Sequence, residues 1–86
     1  MADEKLIGKV THYFTNIGVA VIEITNGKLK VGDTLRIKGA TSDFEQSVDS
    51  MQVEHENVEK AKKGDAIGLK TKEHVREHDT VYKIIE

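Results

Sequence analysis

Gly32-Asp33-Thr34-Leu35-Arg36-Ile37-Lys38 is the stretch on which the fold turns. Glycine and aspartate mark a tight turn. The residues after them alternate, Leu35 and Ile37 to one face and Thr34, Arg36 and Lys38 to the other, as a half-buried strand requires. The same plan recurs in Gly64-Asp65-Ala66-Ile67-Gly68-Leu69 and in His78-Asp79-Thr80-Val81-Tyr82-Lys83. In each, an aspartate closes a turn by accepting hydrogen bonds from neighbouring backbone N–H groups, and an alternating strand begins. Three aspartates in equivalent places are turn formers, not catalytic carboxylates.

Outward from this frame, strands are expected over residues 6–14, 19–24, 66–70 and 80–85, with Thr25-Asn26-Gly27 as a further turn. Residues 44–55 change phase, since Val48 falls on even positions and Met51 and Val53 on odd ones. A β-bulge near Asp49-Ser50 would reconcile them. Residues 57–63, with Val58 and Ala61 three apart, suit a single helical turn. The expected core is Leu6, Val10, Ala20, Ile22, Ile24, Leu35, Ile37, Val48, Met51, Val53, Val58, Ala61, Ile67, Leu69 and Val81. Short strands with frequent turns and no long helix predict an all-β fold, a small closed or nearly closed antiparallel barrel of six to seven strands. Residues 1–5 are expected to form a flexible lead and residues 6–86 one domain.

Composition narrows function by exclusion. The 86 residues contain no Cys, Pro or Trp. Disulfides, thiolate metal sites and a cysteine nucleophile are therefore absent. Thirteen basic and fifteen acidic residues give a formal net charge of −2, which supplies no global pull toward polyanions. No apolar run has the length of a membrane span, and the first residues lack the pattern of a signal peptide. A cytoplasmic protein with no membrane partner is expected. His74-Val75-Arg76-Glu77-His78 matches the H-x-x-E-H pattern of inverted zinc peptidases. That chemistry needs a helix and a third ligand, whereas this segment lies between two strands, so a solvated loop is expected. His12 and His55 stand alone. No phosphate-cradling glycine motif occurs, so neither nucleotide binding nor any cofactor is expected.

Charge is segmented. Lys28, Lys30, Arg36 and Lys38 face only Asp33 over residues 28–38. Residues 41–59 hold six acids and no base, and residues 60–72 hold five lysines against Asp65. The basic segments are candidates for meeting RNA phosphates or an acidic protein surface.

Val48-Asp49-Ser50-Met51-Gln52-Val53-Glu54-His55-Glu56-Asn57-Val58, continuing through Ala61 to Gly64-Asp65-Ala66-Ile67-Gly68-Leu69, resembles the second, β-barrel domain of translational GTPases. Gly27-Lys28-Leu29-Lys30-Val31-Gly32-Asp33 is similar to that family's turn. The resemblance covers residues 6–85. Asn16-Ile17-Gly18 stands where the family has Arg-Gly-Thr, and Ile22 replaces a strand glycine. The resemblance implies a barrel of the elongation-factor domain 2 type without the GTPase and third domains. It implies a non-catalytic module contacting RNA or a ribonucleoprotein, tRNA or the ribosome, in translation. The alternative is a module docking on a separate protein chain, such as an RNA-modification or peptidase-like protein. In factors that carry aminoacyl-tRNA an acidic residue packs on the terminal adenine, and Gln52 occupies the matching position. The expected contact residues are Lys28, Lys30, Arg36, Lys38, Gln52, Lys60, Lys62 and Lys63.

Overall fold

A computed structural model describes residues 3–40, 42–54 and 56–85. His55 lies outside the described residues. The chain is all-β: β1 (Asp3–Phe14), β2 (Val19–Ile24), β3 (Lys28–Lys30), β4 (Thr34–Lys38), β5 (Asp43–Ser47), β6 (Met51–Val53), β7 (Glu56–Val58), β8 (Lys60–Lys62), β9 (Ala66–Lys70) and β10 (Thr80–Ile85). β1 reaches back to Asp3, opposite Ile85 of β10, into the stretch expected as a flexible lead.

The strands form an eight-stranded sheet in the order β5-β4-β10-β1-β2-β9-β6-β7 and a separate two-stranded ribbon, β3-β8. The fold is all-β as expected, while closure into the expected closed or nearly closed barrel of six to seven strands is not made by strand pairing. Among the described residues no ladder joins β5 to the other end of the sheet, which stays open. A side chain spans the seam instead. The Gln46 amide N–H donates to the Lys70 carbonyl (2.9 Å), and the Gln46 side-chain carbonyl accepts from the Lys72 N–H (2.8 Å).

The helical turn expected over residues 57–63 is replaced by two strands. β7 pairs with β6 through Met51↔Val58, and β8 pairs with β3 through Leu29↔Ala61. A helix this short has too few internal hydrogen bonds to compete with such pairing. The expected bulge at Asp49-Ser50 is a break between β5 and β6 rather than a bulge within one strand. Val48 is nevertheless anchored, its N–H donating to the Asp33 carbonyl (2.8 Å) and its carbonyl accepting from the Gly32 N–H (2.9 Å).

The core contains twelve of the expected residues: Val10, Ala20, Ile22, Ile24, Leu35, Ile37, Val48, Met51, Ala61, Ile67, Leu69 and Val81. Val53 and Val58 are partly buried against it. Leu6 is the error, 46% exposed, while Ile7 is fully buried. The β1–β10 register shifts between Leu6 and Gly8, and the extra residue of this bulge reverses the facing of the strand. Gly8 is required there, since an added Cβ would collide with the Glu23 carbonyl oxygen. Leu29, Phe44 and Val75 complete the core.

The three aspartate turns share one geometry. The Asp33, Asp65 and Asp79 carboxylates accept from the N–H groups of Lys30 (2.9 Å), Lys62 (3.0 Å) and Arg76 (3.1 Å), each three residues upstream. In each turn the residue before the aspartate has a left-handed backbone: Gly32 at φ 99°, Gly64 at φ 97° and His78 at φ 75°. Glycine adopts this conformation freely, whereas histidine carries a Cβ penalty of about 1–2 kcal/mol. His78→Gly is therefore expected to stabilise the fold by about 1 kcal/mol. Urea unfolding checks this: the midpoint should rise at unchanged slope, and a lower midpoint would show that the imidazole contributes more than the strain costs.

Candidate functional site

Leu29 and Ala61 face each other in the β3–β8 ribbon and are buried. Side chains alternate along a strand, so burying these two turns their neighbours outward. Lys28, Lys30, Lys60 and Lys62 therefore share the exposed face, in the register Lys28↔Lys62 and Lys30↔Lys60. Lys63, exposed, follows in the next turn, where its N–H donates to the Gly27 carbonyl (3.1 Å). Two basic segments distant in sequence become one surface. Among the described residues no carboxylate lies within ion-pairing distance of these lysines. Like charges directly opposite in a ladder are destabilising.

A groove of about 520 Å³ runs beside the ribbon, bordered by Lys5, Lys28, Lys30, Lys60 and Lys83. Its apolar floor includes Ile7 and Leu29. Lys5 and Lys83 are themselves a cross-strand pair, of β1 with β10. Among the described residues Asp33 is the acid that lines the groove, and it is already engaged. Its carboxylate accepts from the Lys30 N–H and pairs with the Lys83 ammonium at 3.3 Å. The Asp33 side chain is only 11% exposed.

The other expected contact residues lie elsewhere. Arg36 and Lys38 project from β4, outside the groove lining. The Arg36 guanidinium grips Asp43 with two bonds (2.9 and 3.1 Å) and also bonds Glu4. Hydrogen bonding to Arg36 holds the Asp43 carboxyl below its usual range, and the same bond, with that to Glu4, raises Arg36 further above its own. Gln52 sits on β6 opposite Asn57, to whose side chain it donates at 3.1 Å. The His74–His78 segment is a loop: His74 lies against the Tyr13 ring (4.7 Å between centroids), and Glu77 pairs with His12 (3.4 Å). Among the described residues no group of three or more His, Cys, Asp or Glu could hold a metal ion.

Sequence reasoning missed Lys5, Lys83 and the role of Asp33 in the groove. Lys5 and Lys83 lie near opposite ends of the chain, and only the β1–β10 register joins them. Also unforeseen is the end of the β1–β2 hairpin, where Phe14 and Ile17 are 46% and 60% exposed. Among the described residues no helix is long and apolar enough to cross a membrane.

These features define a small antiparallel β domain with one concentrated basic face. The profile of the Elongation factor Tu domain 2 family matches residues 18–81, and the chain belongs to that family. It is 44% identical over 81 residues to an uncharacterized protease of Methanocaldococcus jannaschii, covering 93% of this chain and 20% of that one. It is 41% identical over 78 residues to a collagenase of Porphyromonas gingivalis, covering 90% of this chain and 22% of that one. The chain thus spans about a fifth of the length of the curated relatives it matches. Its fold is that of the crystallised C-terminal domain of a protein described as a U32 peptidase from Geobacillus thermoleovorans. The TM-score is 0.84 at 20% identity, over 92% of this chain and 91% of that one.

The Arg36 cluster carries a pH prediction. Asp43 has a depressed pKa in the folded state, so its contribution is fully present above the unfolded value of about 3.9 and is lost as pH falls through the folded value. Arg36 stays charged throughout this range. Asp43→Asn should therefore melt below the wild type at neutral pH and converge with it under acid conditions. Thermal unfolding across that range checks this, and a constant difference would remove Asp43 as a stabilising ionised group.

Proposed function

We propose that this domain is a non-catalytic binding module that contacts RNA or a ribonucleoprotein through the β3–β8 ribbon. The observation that carries the reading is the set of Lys28, Lys30, Lys60 and Lys62 on one exposed face with no carboxylate of the described chain paired to them. An unneutralised cationic surface gains free energy when it displaces the counterions condensed on a phosphate backbone. Family membership adds support, since the family is named for a domain of a translation factor. Lys63 extends this surface, while Arg36, Lys38 and Gln52 contribute less in this reading because they lie off the ribbon.

A second reading has its own observations. The relatives are longer proteins named protease or collagenase, of which this chain matches about a fifth. Exposed Phe14 and Ile17 offer an apolar contact for a peptidase-like chain, with this domain as its accessory module. Both readings place the domain in the cytoplasm and assign it no cofactor.

One experiment separates them. The tagged protein is passed through lysate with and without nuclease, and its affinity for tRNA is measured at low salt. The RNA reading expects nuclease to release the captured material and Lys28→Glu with Lys30→Glu to weaken tRNA binding by about tenfold or more. A nuclease-resistant complex with a defined protein, together with no tRNA affinity at low salt, would reject it in favour of the second.

A further inference from the structure

We propose that the ribbon and its groove take the phosphodiester backbone of a nucleic-acid duplex without reading bases, and that Asp33 limits how tightly they hold it. This rests on the nucleic-acid reading above and specifies its ligand. Same-face residues two apart on a strand are separated by about 7 Å and neighbouring strands by about 5 Å. Lys28, Lys30, Lys60 and Lys62 thus form a fixed grid of four charges, and Lys5 and Lys83 add a second cross-strand pair at the groove. A rigid grid suits a rigid ligand of high charge density, and a duplex condenses more counterions than a single strand.

Single-strand readers draw much of their affinity from stacking bases on aromatic side chains. Among the described residues the basic face offers no such platform. Phe44 is buried, and Tyr82 lies on the opposite face of β10 from groove-lining Lys83. Tyr13 and Phe14 sit where β1 turns into β2, whereas the ribbon begins beyond the far end of β2. That strand runs the length of roughly six residues, about 20 Å. With no aromatic stacking among the described residues, and with lysines supplying point charges rather than the planar, bidentate forks that read base edges most often, phosphate is the partner this grid suits.

Asp33 opposes such a ligand twice, by placing a carboxylate in the groove and by holding Lys83. The Lys30 N–H and the Lys83 ammonium share one Asp33 carboxylate oxygen. Asp33→Asn keeps an oxygen there to hold the turn and removes the negative charge set against Lys83 and the groove.

Fluorescence anisotropy tests the proposal with mixed-sequence RNA and DNA duplexes, a single strand of equal length, and poly-glutamate as competitor. Duplexes of unrelated sequence should bind alike and more tightly than the single strand. The logarithm of affinity should fall against that of salt with a slope of about −3 to −4, as four phosphate contacts require. Lys28→Gln with Lys62→Gln should reduce that slope by about two, and Asp33→Asn should tighten binding by about two- to fivefold. Whichever duplex binds more tightly identifies the source of the backbone. A single strand bound as tightly as duplex, or an Asp33→Asn protein of unchanged affinity and intact fold, would overturn this inference alone. Failure to bind any nucleic acid would remove the underlying reading as well. Displacement of duplex by poly-glutamate at equal charge would assign the face to an acidic protein.

Discussion

Burial of Leu29 against Ala61 is the contact on which the rest of the site depends. Neither β3 nor β8 belongs to the large sheet, and each has three residues. Two strands this short have little stability of their own. What docks them is the fully buried Leu29 side chain with buried Ala61 opposite it. Once those two face inward, strand alternation leaves Lys28, Lys30, Lys60 and Lys62 no orientation but outward. The basic surface is thus a consequence of the core, and its charges face each other at a cost that the apolar contact offsets.

The large sheet is built around a different constraint. It curves far enough for the Gln46 side chain on β5 to reach the backbone at Lys70 and Lys72, yet no ladder crosses that seam. Curvature in β1 comes with two irregularities, between Leu6 and Gly8 and between Val10 and His12. Bulges bend and twist a strand, and the first of these also brings Ile7 into the groove floor beside Leu29. The groove and the bulge are parts of one feature.

Much of this was legible in residue order, and the reasons for the misses are physical. Alternation around Leu35 and Ile37, and the aspartate turns, led directly to β4, β9 and β10, because these signals are local. The exposed Leu6 was misplaced because the place of a bulge is decided by the partner strands: Gly8 permits the close approach to Glu23, but only the pairing with β10 shows that the register shifts between Leu6 and Gly8. Residues 57–63 were misread because their strand identity comes from β3 and β6. The lysines of both ribbon segments were evident as charge runs, but their union across Leu29↔Ala61 was not. Arg36 looked like one more member of the basic set until Glu4 and Asp43 proved to be its partners. Lys5 and Lys83 could not have been joined to the site without the β1–β10 register.

Pairing of β3 with β8 forces lysines against one another with no carboxylate of the described residues paired to them. A double-mutant cycle on Lys28 and Lys62, with each residue replaced by glutamine and stability measured by urea unfolding at low salt, tests it directly. The expected coupling is repulsive, about 0.2–1 kcal/mol, and diminishes as salt is added. A coupling of zero at low salt, or one favouring the two lysines together, would contradict the arrangement.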